Sequence, residues 1–181
     1  KPYVAYLGTL EPRKNVPALI AGWAAAVTDL PDPPALVLGG GSGWSEEVDE
    51  AVAAVPAHLR LVRPGYLRFS DLPGYLGGAL VVAFPSRGEG FGLPVLEAMA
   101  CGAPVLTTHR TSLPEVGGDA VAYTEPDSGS IQAGLRALLD DPVRRQTLGA
   151  AGHDRAQEFS WAASAEAHLA SYLRAAGRRD E

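Results

Sequence analysis

"LVVAFPSRGEGFGLPVLEAMACGAPVLTT", residues 80 to 108, passes from one apolar run to another through a glycine-punctuated loop and an apolar helical stretch. The runs Leu80 to Pro85 and Pro104 to Thr108 lack the polar alternation of a half-exposed strand, so both read as strands buried on two faces. With "GLPVLEAMA" (92–100) reading as a helix between them, the segment is a strand, a crossover helix and a second strand. Strands joined in this way run parallel.

The same pattern recurs along the chain. "YVAYLG" (3–8), "ALVLGG" (35–40), "LRLV" (59–62) and "AVAYT" (120–124) supply four more strands. Between the first two, Val16, Leu19, Ile20, Trp23 and Val27 fall on one helical face, with Asn15 as the expected cap and Pro17 in the tolerated first turn. "SEEVDEAVAAV" (45–55) opens on Ser45 as a cap and carries acids where the helix dipole favours them. "SDLPGYLGGA" (70–79) reads as a weaker helix interrupted by glycine. Three helices follow the sixth strand: Ser128 to Asp140 with Ile131, Leu135 and Leu138 inward, one opened by Asp141 and Pro142, and one opened by Ser160. In the last, Trp161, Ala165, Leu169 and Tyr172 form a stripe that is expected to cover something. The fold class is therefore α/β, a Rossmann-like three-layer domain with a six-stranded parallel sheet and a helical C-terminal tail. Residues 1–176 form the domain and 177–181 a frayed end.

Composition narrows the function classes. A chain of 181 residues fits one domain and can bury roughly 70% of the surface its unfolded form would expose. The net charge of -6, with no long block of like charge, argues against a nucleic-acid partner. Cys101 is the single cysteine, so no internal disulfide forms and the CxxC pairs of structural zinc sites are missing. A reducing cytoplasm is expected. No apolar run approaches the ~20 residues of a membrane helix. The chain enters a strand within three residues and starts without methionine, which reads as a piece of a longer protein. Of its fifteen basic residues only Lys1 and Lys14 are lysine, a bias expected of a GC-rich bacterial genome.

The loop 86–92 sits where a doubly wound sheet binds ligands, at the carboxyl end of a strand and the N-terminus of a helix. Free NH groups and the helix dipole there suit phosphate, and Gly90 and Gly92 let a backbone come close. Glycine spacing alone fits loop shaping equally well, because the run is not GxGxxG. Two glutamates eight positions apart narrow the choice. Glu97 falls in the second helical turn among Leu93, Val95, Leu96, Ala98 and Met99. It is either an exposed position or a carboxylate that needs donors, such as vicinal ribose hydroxyls at ~1.5 to 3 kcal/mol per hydrogen bond. Glu89, on the loop, is either solvated or placed to reach a sugar beyond the phosphates. "GTLEPRKN" (8–15) brings Arg13 and Lys14 to a helix start, against the dipole. An anion such as a diphosphate would relieve that conflict; solvated charges are the alternative. "GGGSG" (39–43) lacks the Lys-Ser/Thr of a P-loop and reads as a flexible turn rather than a cradle. His58, His109, His153 and His168 show no metal spacing, and only His109 lies near a strand end. Ser86 lacks the GxSxG elbow of a hydrolase.

"RGEGFGLPVLEAMACGAPV" (87–105), "SLPEVGGDAVAY" (112–123), "GTLEPRKN" and "FSW" (159–161) together resemble the C-terminal, donor-binding domain of retaining family-4 glycosyltransferases of GT-B fold. The resemblance runs over nearly the whole chain. It implies that Glu89 contacts donor-sugar hydroxyls near the reacting centre, and that Lys14 neutralises the diphosphate leaving group, the two forming the catalytic set. Glu97 would hold the ribose, and the NH groups of Gly90, Phe91, Gly92 and Leu93 would meet the sugar and phosphates. Leu67 and Arg68 of "GYLRFSDL" (65–72) would rest against the base. Many relatives carry a basic residue where this chain has Thr9, and Arg13 would substitute for it. The reaction implied is sugar transfer from a nucleotide diphosphate sugar with retained anomeric configuration, needing no metal or other cofactor. The acceptor site would belong to an N-terminal domain outside this chain, toward which the last helix crosses, and the domain alone would be inactive. Peripheral association with the cytoplasmic membrane face would come through that other half. The "GTLEPRKN" variant resembles relatives assigned to mannosyl transfer in polysaccharide assembly, which makes GDP-mannose the expected donor. Two other readings stand beside this one: a nucleotide-sugar-binding module without transfer, and a GT-B-like nucleotide-sugar epimerase, whose chemistry should not depend on the glutamate pair.

Overall fold

Strand β1 (Tyr3–Leu7) pairs in parallel with β2 (Ala35–Gly39) on one side and with β4 (Val81–Phe84) on the other, so the chain reverses its direction of travel across the sheet beside β1. This is a computed structural model, described for residues 1–43 and 46–177. With β3 (Leu61–Gly65), β5 (Val105–Thr108) and β6 (Ala122–Thr124), the six strands take the order β3-β2-β1-β4-β5-β6. Val81, Val82, Ala83 and Phe84 are all fully buried, as two-sided packing requires.

Helix α1 (Val16–Val27) packs with α2 (Glu46–Ala53) and α6 (Ser128–Leu139), while α4 (Leu93–Ala100) packs with α3 (Leu72–Gly77), α5 (Leu113–Gly117) and α7 (Pro142–Ala156). Right-handed crossovers set these two groups on opposite faces of the sheet, giving the three expected layers. The apolar faces read from the sequence are the ones buried: Val16, Leu19, Ile20, Trp23 and Val27 on α1, and Ile131, Leu135 and Leu138 on α6. Asp141 and Ser160 cap their helices as expected, accepting from Arg144 N at 2.8 Å and Ala163 N at 3.1 Å. Among the described residues no helix is long and apolar enough to cross a membrane.

Several expectations are corrected. Asn15 is no side-chain cap: its backbone is left-handed (φ 61°), and its amide donates instead to Pro85 O at 3.1 Å and Pro126 O at 2.6 Å. Strand β3 begins later than "LRLV" and runs through Arg63 and Pro64. It is an edge strand, where burial is slight and a proline is tolerated, so an apolar run is a poor guide to its bounds. The segment 70–79 divides into a 3-10 turn at Phe69–Asp71 and the short α3. The expected Ser45 cap lies outside the described residues, as do residues 178–181. Helix α8 (Trp161–Ala175) leaves its stripe bare, with Trp161 80% exposed and Leu169 and Tyr172 exposed as well. Among the described residues the stripe covers nothing.

The glycines after β2 form a seam rather than a flexible turn. Gly8 N donates to Gly39 O at 2.9 Å, Leu10 N to Gly41 O at 3.0 Å and Gly40 N to Gly65 O at 2.8 Å, which locks the loops after β1, β2 and β3 together. Gly40 has φ +129°, and a Cβ built there would lie 2.2 Å from Gly8 O. Gly40→Ala should therefore lower stability by at least ~3 kcal/mol in urea unfolding, combining a left-handed backbone with a backbone clash. Gly41→Ala, whose Cβ would meet only Thr9 at 3.9 Å, is the control and should cost under ~1 kcal/mol.

Candidate functional site

Two loops meet at the carboxyl ends of β1 and β4. The first descends from Gly8 into a 3-10 turn at Pro12–Lys14, and the second leaves β4 through Pro85. Arg87 N donates to Arg13 O at 2.8 Å, which ties them backbone to backbone. Asn15 bolts the first loop to Pro85 and to Pro126 beyond β6, and so places its neighbour Lys14. The Lys14 side chain is buried, its Nζ 4.7 Å from the Phe84 ring centroid, an arrangement in which the ring face attracts the cation.

The three polar groups delivered there converge on one carboxylate. Lys14 Nζ donates to Glu89 Oε1 at 2.8 Å, Arg13 to Glu89 Oε2 at 2.7 Å and Ser86 Oγ to Glu89 Oε1 at 2.6 Å. Arg13 also reaches Gly88 O at 3.0 Å and Glu11 at 3.2 Å. Burial pushes the Glu89 carboxyl up, but the hydrogen bonds from Lys14, Ser86 and Arg13 and the Lys14 charge outweigh it and hold the group below its ordinary value. The side chain is only 7% exposed. The conflict of two cations at a helix start is thus relieved from within the chain, with Glu89 as the anion.

The loop beyond Glu89 is fixed from its other side. Glu89 N donates to Thr111 Oγ1 at 2.9 Å, and Ser112 Oγ lies 2.9 Å from Phe91 O and 3.1 Å from Glu89 O. Below, Thr108 Oγ1 donates to Ser86 O at 2.6 Å. Gly92 caps α4 with φ +102°, and a Cβ there would press on Leu113 at 2.8 Å, so glycine is required. Around Gly90, by contrast, a Cβ would meet nothing. Among the described residues no acceptor takes the NH groups of Gly90, Phe91, Gly92 or Leu93, which remain available at the dipole's positive end. Phe91 sets its ring edge-on against Phe159, centroids 5.9 Å apart, and Leu93 is exposed.

Glu97, one helical stretch further on, is half-buried beside a cavity of about 160 Å³ lined by Phe69, Leu72, Pro73, Leu76, Ala100 and Cys101. No side-chain hydrogen bond is made to it among the described residues, and burial pushes its carboxyl above the ordinary value. Leu67 stands over Gly39, where a Cβ would come within 2.8 Å of it, and Arg68 is exposed just before the 3-10 turn. The loop 65–72 does approach Glu97, but through Phe69 and Leu72 rather than Leu67 or Arg68. Phe69 (85% exposed) and Tyr66 (88%) stand out on it.

Sequence reasoning missed Ser86, Thr111, Ser112 and Phe69. An exposed aromatic in a polar loop was a readable signal for Phe69; hydroxyls at the carboxyl ends of buried strands were one for Ser86 and Thr108. His109 stacks on Tyr123 with centroids 3.8 Å apart. Among the described residues no three His, Cys, Asp or Glu side chains gather as a metal would need.

The fold is that of a doubly wound α/β domain, and open amide groups lie beside ion-paired cations at its reversal point, the place where sheets of this kind accommodate ligands. The model of the glycosyl transferases group 1 family matches residues 1–155, and the chain belongs to that family. It is 38% identical over 161 residues to O-antigen chain mannosyltransferase B of Escherichia coli, covering 88% of this chain and 42% of that protein. It is 35% identical over 190 residues to D-inositol 3-phosphate glycosyltransferase of Kineococcus radiotolerans, covering 94% and 43%. The solved structure of Anabaena Alr3699/HepE in complex with UDP and glucose superposes with a TM-score of 0.78 at 21% identity, over 96% of this chain and 48% of that one. The shared architecture is the Rossmann-like C-terminal half of a GT-B glycosyltransferase. The chain spans under half the length of these curated relatives.

A raised carboxyl means that the folded state holds the Glu97 proton more tightly than the unfolded state does. Stability is then lost as pH rises from the ordinary glutamate value through the folded one, and stays lost above it. Glu97→Gln should raise Tm at pH 7 and lose that gain near pH 4. Glu89 runs the other way: its contribution is present above the ordinary value and falls away as pH drops through the lowered one. Glu89→Ala should cost about 3 kcal/mol at pH 7, because Lys14 is left buried and short of a partner, and the difference from wild type should shrink under acid in pH-dependent urea unfolding.

Proposed function

We propose that this chain is the donor-binding half of a retaining glycosyltransferase that takes a nucleotide diphosphate sugar, with GDP-mannose as donor. The observation that carries the reading is the Lys14–Glu89–Arg13 cluster beside the open amides of residues 90 to 93. Diphosphate oxygens would accept from those amides and share Lys14 and Arg13 with Glu89. As the bond from the anomeric carbon to the phosphate oxygen lengthens, charge grows on the departing diphosphate, and fixed cations and amide dipoles stabilise it most at that point. No metal or other cofactor is assigned to the step. Glu89, held in place but sharing its cations with the diphosphate, would accept hydrogen bonds from the donor sugar. Glu97 would accept the ribose hydroxyls, which gives its half-buried carboxylate the donors that it lacks, and the base would rest against the loop 65–72, on Leu67, Arg68 and Phe69.

Support for mannosyl transfer comes from the E. coli relative named a mannosyltransferase, together with "GTLEPRKN". The HepE structure holds UDP, so the base must be measured. An N-terminal domain would bring the acceptor and complete the cleft, with the bare α8 stripe facing it, in a cytoplasmic enzyme whose other half carries any membrane contact.

Calorimetric titration of the domain and of the full-length protein with GDP, UDP and ADP, without metal, tests this. GDP should bind selectively, and Glu97→Ala should weaken it at least tenfold, as loss of charged hydrogen bonds worth ~1.5 to 3 kcal/mol requires. In the full-length enzyme Lys14→Ala should cut transfer roughly 100-fold or more, the scale of a lost transition-state donor, and NMR of the product should show the donor's anomeric configuration. Unimpaired transfer by both variants would sink the reading.

A further inference from the structure

Thr111 is β-branched and sits in the left-handed region at φ 51°. A residue of this kind pays for that backbone in strain, which persists where the surroundings over-determine it. Here the strain coincides with a contact to the site: Thr111 Oγ1 accepts the Glu89 N–H at 2.9 Å. Its methyl group stands over Gly88, where a built Cβ would lie 3.6 Å from Thr111 Cγ2. The next residue, Ser112, engages the carbonyls of Glu89 and Phe91. The chain after β5 therefore grips the peptide from which the Glu89 side chain and the open amides of residues 90 to 93 both project. Ser86 and the two cations fix the carboxylate end; Thr111 fixes the backbone end.

We propose that Thr111 is a positioning residue for Glu89, its left-handed backbone retained because it aims Oγ1 at the Glu89 amide. The inference rests on the donor-binding reading for its effect on transfer, but the contact itself can be tested without ligand. Three variants separate strain from contact. Thr111→Gly removes both, Thr111→Val keeps the strain and removes the hydroxyl, and Thr111→Ser keeps the hydroxyl.

In the full-length enzyme, Thr111→Gly should leave Tm unchanged or raised, because strain is relieved. Amide exchange at Glu89 should speed up about tenfold, and kcat should fall by a similar factor with donor KM within about twofold, the scale of one hydrogen bond. Thr111→Val should show the same kcat loss with lower Tm, and Thr111→Ser should restore both exchange and kcat. Unchanged Glu89 exchange in Thr111→Gly and Thr111→Val would overturn the proposal, and so would a kcat that follows Tm rather than the hydroxyl. If the wild type binds no nucleotide sugar, the donor reading fails while exchange at Glu89 still decides the role of Thr111.

Discussion

A carboxylate that is 7% exposed stays ionised only if cations and hydroxyls are brought to it, and Glu89 imposes that requirement on everything around it. Lys14 and Arg13 come from the loop after β1 and Ser86 from the end of β4, while Thr111, from the loop after β5, takes the backbone N–H of Glu89 rather than its carboxylate. Lys14 and Arg13 could not reach Glu89 unless β1 and β4 were neighbours, as the pairing of Val4 with Val81 makes them. The reversal of strand order is thus what lets two cations more than seventy positions away in sequence answer one charge. An external anion entering this site competes with an internal one already in place. The net affinity of such an anion is what remains after Lys14 and Arg13 have been shared, and the Glu89 carboxylate is oriented before anything enters.

Most of the fold was legible because it is written in periodicity. The apolar runs of β1, β2, β4, β5 and β6, the α1 face from Val16 to Val27 and the caps Asp141 and Ser160 are local patterns with local causes. β3 was misplaced because an edge strand need not be apolar, and Arg63 and Pro64 read as loop. Asn15 was misread for a different reason: its residue type suits a cap, but the left-handed backbone at that point turns its amide toward Pro85 and Pro126, which only the assembled sheet brings near. The seam at Gly40 escaped for the same reason, since the clash that demands glycine comes from Gly8, on another loop.

The site divides along the same line. Glu89, Glu97, Lys14 and Arg13 stand out in the sequence because charge in apolar or glycine-rich surroundings is unusual. That Glu89 would pair with both cations was not legible, because the partners lie more than seventy positions apart. Thr111 and Ser112 carried no signal at all: a hydroxyl's importance depends on which amide or carbonyl it faces. Glu97 shows the opposite balance to Glu89, held near an apolar cavity with no hydrogen-bond donor to its side chain among the described residues. A group that lowers the stability of its own fold is retained where something else uses it.

The edges of the sheet have a consequence for how the protein behaves at high concentration. An open parallel sheet ends in two strands whose outer NH and carbonyl groups could accept a strand from another molecule, the first step toward fibrous assembly. On β3 the ring of Pro64 removes one donor and the exposed Arg63 adds a charge. On the opposite side β6 is only three residues long. Neither rim offers a long, flat template, so the sheet can stay unclosed, with the loops at its carboxyl ends free, without inviting further copies to add edge to edge.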